Sequence, residues 1–337
     1  MRQVWTTRTG GPEVLEVREA ADPEPGAGQV RIRVAAAGVN FADVMARIGL
    51  YPDAPKLPAV VGYEVAGTVD AVGPGTTLAV GTRVLAMIRF GGYSDVVVVP
   101  QPMAVPLPDG LSFEKAAAIP VNYLTAWTML VWLGNSHPGE KVLVHAAAGG
   151  VGQAALQICK VRGAEVIGTA SKSKHARLKE LGVSHCIDYT AEDFELEVKR
   201  ITDGRGVDIV LDAVGGESFG KSYRSLAPLG RMFVFGGSAF APKGTRNLFS
   251  VAKAFLAMPS FKPMTMMSEN RGVHGVNLGH LWNETEKIRV MLGDVMALVR
   301  EGKLDPVVDK TFAFTQAGEA HRYIQERKNF GKVVLVP

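Results

Sequence analysis

The middle of the chain alternates short apolar runs with longer amphipathic stretches. The short runs have the length and the β-branched content of buried strands, whereas the stretches between them have helical spacing. The predicted strands are 142–144, Glu165–Thr169, Cys186–Asp188, Asp208–Asp212 and Arg231–Phe235, and the predicted helices are Gln153–Arg162, Lys174–Leu181, Glu192–Ile201 and Glu217–Leu226. This order predicts right-handed βαβ units, hence an α/β protein with a doubly wound parallel sheet and ligand sites at the carboxyl ends of its strands.

The flanking regions have a different pattern. Residues 1 to about 110 are rich in Val, Gly and Pro and contain alternating stretches at Gln29–Ala35, Glu64–Val72 and Asp95–Val99, which predict a β-rich, barrel-like domain. The last segments are expected to return to that domain. They are a helix near Thr285–Glu301, a strand near Val307–Phe314, a helix near Ala317–Arg327 and a strand at Lys332–Val336.

A glycine-rich turn follows the first strand of the middle block. Residues Val142–Gly152 read as a strand, a tight turn and the start of a helix. Gly149 and Gly152 would let a pyrophosphate approach the backbone and accept hydrogen bonds from the helix N-terminus. Ala147 stands where the usual dinucleotide fingerprint has its first glycine, so the motif by itself also suits a purely structural turn. The surrounding strand and helix pattern favours the dinucleotide site.

The end of the second strand indicates which dinucleotide binds. An NAD site usually has an acidic residue there, because a carboxylate accepts hydrogen bonds from the ribose hydroxyls and repels a 2′-phosphate. This chain has Gly168–Lys174 instead, with hydroxyl and ammonium groups and no acid. The sequence therefore predicts NADPH. The alternative is that Lys172, Lys174, Arg177 and Lys179 only form the solvated face of a helix.

Composition excludes several other classes of protein. The 337 residues are 47% hydrophobic, enough for two cores, and the net charge of +4 comes without a basic stripe interleaved with aromatics, so nucleic-acid binding is not implied. Two cysteines predict neither a disulfide framework nor a metal cluster. The N-terminus lacks a signal peptide, and we expect a cytoplasmic protein. Ala116–Leu133 is apolar enough to suggest a membrane span, but its polar residues favour a buried interdomain helix.

The motifs together resemble the medium-chain dehydrogenase/reductase superfamily, in its zinc-free quinone oxidoreductase branch. The resemblance covers nearly the whole chain and, within that branch, is strongest to the vesicle amine transport protein subgroup. It implies a β-rich GroES-like catalytic domain at 1–122 and 280–337 and a Rossmann NADPH-binding domain at 123–279. The motifs are Ala37–Asp43, Gly49–Pro52, Val61–Gly67, Asn122–Ala126, Ala146–Gly152, Gly168–His175, Gly275–Gly279 and Asn329–Lys332.

The chain departs from the zinc alcohol dehydrogenases of the same superfamily. Asn40 occupies the position of the first zinc ligand, and Tyr63 replaces the histidine beside Glu64. The region of the structural zinc, Met87–Tyr93, contains no cysteine. We therefore expect no metal, and we expect Glu64 to be a structural carboxylate paired with a nearby base.

Without a metal, the simplest chemistry is hydride transfer to a carbon that is conjugated with a carbonyl, as in quinones and enones. The resemblance implies that Asn40, Tyr51, Tyr63 and Asn122 line the substrate cleft. Tyr51 is the best candidate for donating a proton or a hydrogen bond to the enolate oxygen, because a phenol does both while neutral at pH 7; the alternative is a turn-packing residue. Asp43 and His145 are more simply read as hydrogen-bonded structural residues.

The resemblance also implies a set of cofactor contacts. Thr125 would contact the nicotinamide ribose, and Tyr189 would join Lys174 at the 2′-phosphate or cap the adenine edge. The full set is Thr125, Gly149, Gly150, Val151, Ser171, Lys174, Tyr189, Gly236, Ser238 and Lys332. Asn247–Met267 is interpreted as an apolar cover over the cleft, with a core segment or a dimer contact as alternatives.

The sequence leaves two alternative functions and predicts one oligomeric state. The first function is an NADPH-dependent reductase of quinones or enones; the second is an NADPH-binding scaffold, membrane-peripheral or regulatory, with little activity. A homodimer is expected, because the superfamily commonly pairs a late strand across a two-fold axis and His274–Leu278 lies in the matching place.

Overall fold

The computed structural model describes residues 1–241 and 247–337. Cα packing divides them into two compact units: the first contains Met1–Leu124 and Leu278–Pro337, and the second contains residues 125–241 and Asn247–Asn277. The predicted domain division at 122/123 and 279/280 lies within two residues of these limits. Residues 242–246 fall outside the described part of the chain.

The elements follow the predicted alternation closely. The strands are β1 Arg2–Thr6, β2 Leu15–Glu19, β3 Gln29–Val39, β4 Ala59–Val60, β5 Glu64–Val72, β6 Arg83–Met87, β7 Val96–Pro100, β8 Ala104–Pro106, β9 Lys141–Val144, β10 Glu165–Ala170, β11 His185–Asp188, β12 Val207–Asp212, β13 Leu226–Val234, β14 Gly272–Gly275, β15 Val308–Ala313 and β16 Lys332–Val336. The helices are α1 Phe41–Arg47, α2 Phe113–Ala117, α3 Pro120–Trp127, α4 Gly150–Arg162, α5 His175–Glu180, α6 Phe194–Ile201, α7 Glu217–Arg224, α8 Leu248–Leu256, α9 Pro263–Glu269, α10 Thr285–Arg300 and α11 Ala317–Gln325.

The first unit is β-rich. Its larger sheet has the order β15-β16-β3-β5-β6-β8 with β7 also paired to β3, and its smaller sheet has the order β2-β1-β4, both within the described residues. Strand β3 shows why the alternation folds this way, since Val30, Ile32 and Val34 are at most 4% exposed. The residues between them, Arg31 and Arg33, face the other way and form ion pairs with Asp70.

The second unit contains the doubly wound sheet. Among its described residues the order is β11-β10-β9-β12-β13-β14, and every neighbouring pair is parallel. The strands are buried on both faces, with Leu143, Ile167 and Val210 completely inaccessible, as expected for continuous apolar runs covered by helices. The order reverses between β9 and β12, which is where a ligand crevice is expected in such sheets. The predicted α/β fold, a GroES-like sheet domain plus a Rossmann sheet, is confirmed.

Several local expectations need correction. The segment Ala116–Leu133 is not one helix, because α2 ends at Ala117 and α3 begins at Pro120, whose ring requires a helix start, before a π-helical stretch at Thr128–Trp132. Its buried side chains are otherwise as expected. Among the described residues, no helix combines the length and the apolar composition that crossing a bilayer requires.

Two late segments can be compared with their predictions. The strand expected at His274–Leu278 is β14, which begins at Gly272 and already ends at Gly275. In the segment Asn247–Met267, Phe249, Leu256 and Met264 are 70–85% exposed on α8 and α9, which excludes the core alternative. The apolar cover and the dimer contact stay predictions.

Candidate functional site

The turn between β9 and α4 has the geometry of a phosphate cradle. A Cβ atom at Gly152 would lie 2.5 Å from the carbonyl oxygens of Ala146 and Ala147, so only glycine permits this close approach of helix and turn. Gly149 is the N-cap of α4 and no side chain caps it. The first N–H groups of this 13-residue helix therefore lack intrahelical partners and can donate to an anion.

Ala146 gives the turn its shape. Its φ of +52° lies in the left-handed region, which costs a non-glycine residue about 1–2 kcal/mol. Surrounding hydrogen bonds hold it there: its N–H donates to the Thr169 hydroxyl at 3.3 Å and its carbonyl accepts from the Gly149 N–H at 2.8 Å. The turn is thus held in place before any ligand binds.

The polar residues at the ends of β10 and β11 lie side by side. The parallel register pairs Ala170 with Asp188, so Ser171 and Tyr189 each follow a paired residue on neighbouring strands. Lys174 ends the 3₁₀ turn that begins at Lys172, one turn beyond Ser171. The Asp188 carboxylate accepts from the Thr190 N–H and hydroxyl, which hold the pKa of that carboxyl below its ordinary value. The cluster therefore combines hydroxyl and ammonium donors, the groups that a phosphate ester prefers.

Other predicted cofactor residues are distributed as follows. Gly236 and Ser238 follow β13, and the Ser238 N–H donates to Ala213 at the end of β12, so this loop joins the same edge of the sheet. Thr125 is buried within α3 and begins the second unit. Lys332 belongs to the first unit, where it is 2% exposed at the start of β16. The second unit thus brings together the residues of the turn, Ser171, Lys174, Tyr189, Gly236 and Ser238.

A buried polar network begins at the residue that precedes the turn between β9 and α4. His145, which directly follows β9, contacts the Thr169 hydroxyl through Nδ1 at 3.2 Å and the Ser222 hydroxyl through Nε2 at 3.0 Å. The single proton of Ser222 goes to the Asp212 carboxylate, so Nε2 must carry a proton and Nδ1 must accept one from Thr169. Burial lowers the pKa of His145, and Asp212 opposes that shift only in part. His145 is thus the structural, hydrogen-bonded residue that the sequence suggested.

The first unit contains a second buried polar cluster. Asn40, the N-cap of α1, donates through Nδ2 to Glu64 Oε1 at 2.9 Å, and its Oδ1 accepts from Lys332 Nζ at 2.7 Å. Lys332 also forms an ion pair with Glu64 Oε1. The other carboxylate oxygen accepts from the Val121 N–H at 2.7 Å. The pairing of Glu64 with a base was expected from the sequence, whereas the identity of that base was not.

The aromatic residues predicted for substrate binding cluster in the first unit. The rings of Tyr51 and Tyr63 meet edge to face with centroids 6.3 Å apart, and Tyr63 also packs on Phe90 at 5.1 Å. Tyr63 is 6% exposed, and burial raises the pKa of its hydroxyl far above the ordinary value, so the phenol is neutral. Asn122 is buried in α3, where its amide donates to Ala118 at 3.2 Å.

Sequence reasoning missed the partners of Asp43. This carboxylate is completely buried and accepts from the backbone N–H groups of Asn40 and Gly62 and from the Tyr93 hydroxyl at 3.0 Å. Burial raises the pKa of the Asp43 carboxyl to about 7. The Tyr93 oxygen lies 3.1 Å from His321 Nε2, a residue 228 positions later. No pattern near Tyr93 or His321 in the sequence links either residue to Asp43, because the three residues lie on separate segments of the chain.

The donor chemistry of this cluster does not suit zinc. At the two ligand positions stand an amide that is bonded to Glu64 and Lys332 and a phenol that burial keeps protonated. In the described ranges, no group of three or more His, Cys, Asp or Glu side chains is placed to hold a metal ion. The ammonium of Lys332 compensates the charge of the buried Glu64 carboxylate.

Comparisons with known proteins agree with this architecture. The family model of the alcohol dehydrogenase GroES-like domain matches residues 26–109, and that described as zinc-binding dehydrogenase matches residues 181–335. The human synaptic vesicle membrane protein VAT-1 homolog is 43% identical over 325 residues, which cover 96% of this chain and 82% of that protein. The chain belongs to the medium-chain dehydrogenase/reductase superfamily, in the branch of the quinone oxidoreductases and VAT-1 homologues.

Two solved structures extend the comparison. Quinone oxidoreductase of Escherichia coli, complexed with NADPH, is 30% identical, with a TM-score of 0.88 and full coverage of both chains. CurK enoyl reductase is 31% identical, with a TM-score of 0.87 and coverage of 99% of this chain and 98% of that one. Both similar proteins bear the names of oxidoreductases.

Proposed function

We propose that this protein is an NADPH-dependent, zinc-independent oxidoreductase that reduces quinones or the activated C=C bond of α,β-unsaturated carbonyls. The observation that carries the proposal is the donor cluster after β10, where Ser171 and Lys174 stand in place of the acid of an NAD site. A carboxylate there would repel a 2′-phosphate, whereas these groups donate to it. The similar E. coli enzyme complexed with NADPH supports this choice.

The second unit would hold the cofactor, which supplies the hydride when bound. The N–H groups of Gly150 and Val151 would donate to the pyrophosphate, and Gly149, which has no side chain, would let it approach the backbone. The side chains of Ser171 and Lys174 would bind the 2′-phosphate. Additional contacts are proposed for Tyr189, Gly236, Ser238 and Thr125, as the family resemblance implies. The same resemblance implies a contact by Lys332, but its burial in an ion pair with Glu64 favours a role outside cofactor binding.

The first unit would supply the groups that act on the substrate. Tyr51 would donate a proton or a hydrogen bond to the enolate oxygen, and the Asn40 amide would donate to the same oxygen, while Tyr63 and Asn122 would bind the substrate. Neutral donors suffice for this chemistry, because the conjugated carbonyl already makes the accepting carbon electrophilic. The proposal therefore needs no Lewis acid, and activity should survive a chelator, with no stoichiometric zinc by elemental analysis.

A panel of quinones and enones tests the proposal through substrate-dependent oxidation of NADPH at 340 nm. Turnover of at least one substrate class, faster with NADPH than with NADH, is expected. A protein that binds NADPH but reduces none of the panel would refute the enzyme proposal. It would favour the scaffold instead.

A second candidate, a membrane-peripheral NADPH-binding scaffold, is favoured by one observation. Phe249, Phe255 and Leu256 on α8 and Met264 and Met267 on α9 are 65–85% exposed, which is unusual for large apolar side chains. Several curated relatives, the human VAT-1 homolog among them, are named as synaptic vesicle membrane proteins. Flotation with anionic vesicles tests this candidate, because a membrane-peripheral protein should float with the vesicles. Recovery of all the protein in the unbound fraction would support a cytoplasmic enzyme, which is the location we propose.

A further inference from the structure

Three buried polar side chains from distant parts of the chain meet in the first unit. Asn40 caps α1, Glu64 begins β5 and Lys332 begins β16. Their exposed fractions are 8%, 0% and 2%, so all three are buried and most of the accessible surface that remains belongs to Asn40. Burying an ion pair is costly and a well-packed apolar pair is often as stable, so this arrangement calls for a reason beyond stability.

The hydrogen bonds determine the orientation of the Asn40 amide. An ammonium can only donate, so the amide oxygen must face Lys332, at 2.7 Å. An ionised carboxylate can only accept, so the amide nitrogen must face Glu64, at 2.9 Å. Rotating the amide by 180° would place two donors together on one side and two acceptors together on the other. One orientation is therefore strongly preferred.

The carboxylate that enforces this orientation is itself held rigidly. Glu64 Oε2 accepts from the Val121 N–H at 2.7 Å, at the start of α3. Gly38 leaves room for it, because a Cβ atom at this position would collide with Glu64 Oε1 and lie 2.7 Å from the Ala117 carbonyl oxygen. The Asn40 backbone is fixed as well, since its N–H donates to Asp43 at 2.8 Å. Both ends of the amide interaction are thus preorganised.

We propose that the Lys332–Glu64 ion pair is a positioning device that aims the second Nδ2–H of Asn40 at the carbonyl oxygen of the substrate. One Nδ2–H is used by Glu64, and the other is available for an oxygen that gains negative charge during reduction. Lys332 is then a positioning residue, and it acts through Asn40 rather than on a cofactor phosphate. The inference rests on the proposed reductase function.

The closing experiment compares variants with an enone as substrate. Lys332→Met leaves Glu64 unpaired and is expected to destabilise the fold, so the informative variant is Lys332→Met/Glu64→Gln, which removes both charges. Its kcat should fall about 10- to 100-fold, while its Kd for NADPH, measured by fluorescence titration, should stay within about twofold. Lys332→Arg should retain most of the activity. Lys115→Met, which removes a cation at an exposed ion pair of the same unit, should match the parent.

Combination with Asn40→Ala tests whether the pair acts through Asn40. When Asn40 is already alanine, removing the ion pair should cause little further loss of kcat. Independent, multiplicative losses would overturn the inference. A tenfold weaker Kd for NADPH with unchanged kcat would also overturn it and would restore Lys332 as a cofactor contact.

An NMR measurement of the Asn40 side chain tests this inference separately from the proposed function, because it does not require the protein to turn over a substrate. The Asn40 side-chain NH₂ signals in ¹⁵N-labelled protein are assigned by their loss in Asn40→Ala. They should form one sharp pair in the parent and shift or broaden in Lys332→Met/Glu64→Gln. Unchanged signals would overturn the orienting role even if the protein reduces enones. A parent protein that reduces neither quinones nor enones would refute the reductase function alone.

Discussion

The Ser222 hydroxyl donates to the buried Asp212 carboxylate at 2.7 Å and at the same time accepts from His145 at 3.0 Å. One hydroxyl therefore joins α7 to the ends of β12 and β9, behind the turn that we propose as the phosphate site. Asp212 also accepts from the Val214 N–H at 2.7 Å. Ser222 is the central residue of the network, because its hydroxyl donates one hydrogen bond to Asp212 and accepts another from His145.

Ser222→Ala should lower the free energy of unfolding by about 1–3 kcal/mol, because the Nε2–H of His145 would lose its partner in the interior. Ser225→Ala is the matched control. Ser225 lies just beyond the same helix, and its hydroxyl donates to the Lys221 carbonyl, which also accepts the Ser225 backbone N–H. Urea unfolding of both variants should show a clearly smaller loss for Ser225→Ala. Equal losses would mean that the network contributes nothing beyond an ordinary hydroxyl.

Cofactor preference should depend on Lys174. Charge-assisted hydrogen bonds contribute about 1.5–3 kcal/mol, so the parent should bind NADPH more tightly than NADH, and Lys174→Ala should narrow that difference. Lys179→Ala, an exposed lysine on the adjoining helix α5, is the control for a general loss of positive charge. Fluorescence titrations with both cofactors measure the effect. Equal dissociation constants in the parent would contradict the assignment of the phosphate site.

Tyr51→Phe should lower kcat for an enone and leave the Kd for NADPH nearly unchanged. A positioned acid contributes about 10²- to 10⁴-fold, and we expect the low end because water or Asn40 can partly replace the phenol. A quinone should lose less than an enone, since a hydroquinone anion needs little help from an acid. Steady-state kinetics with one substrate of each kind test this. An unchanged kcat and product stereochemistry with the enone would make Tyr51 a packing residue.

The buried Asp43 carboxyl predicts a specific pH dependence of stability. Burial raises its pKa from 3.8 to about 7, so between these values the folded state binds more protons than the unfolded state. This contribution to stability is complete below pH 4 and is lost as the pH rises toward 7, by about 1.4 kcal/mol per pH unit. His321 acts in the opposite direction, because burial lowers its pKa from 6.5 to about 3.

The test compares the parent with Asp43→Asn by urea unfolding at pH 5, 6 and 7. The variant should be less stable at pH 5, where it cannot replace the protonated carboxyl in all its bonds, and this deficit should shrink as the pH approaches 7. The exposed control Asp203→Asn should keep the slope of the parent. A deficit independent of pH would show that Asp43 titrates normally.

The homodimer remains a prediction with a direct test. β14 is the last strand of the second unit's sheet and pairs with β13 through Gly272–Gly275. The unpaired backbone N–H and C=O groups of such an edge strand can form hydrogen bonds when the strand pairs with its copy in a second chain. Light scattering at micromolar concentration should give twice the mass of the chain. A mass equal to one chain would contradict the assembly.

The sequence by itself determined the alternation of strands and helices from β9 to β13 and the type of cofactor. Apolar runs of strand length have nowhere to lie except inside a covered parallel sheet, so β9 to β13 were predictable from local pattern alone. The cofactor site also gives local signals, namely the glycines at 149 and 152 and the donors at Ser171 and Lys174. Each of these motifs can be recognised from its immediate neighbours in the sequence.

Only the tertiary structure decided which polar residues meet. Lys332 lies 292 positions from Asn40 and 268 from Glu64, and Ser222 lies 77 positions from His145. No local pattern specifies such pairs, because they depend on how the sheets are connected and on which side chains burial removes from water. Burial also sets their chemistry, since Lys332, which the family resemblance implied as a cofactor contact, is paired with the buried carboxylate of Glu64 in the fold.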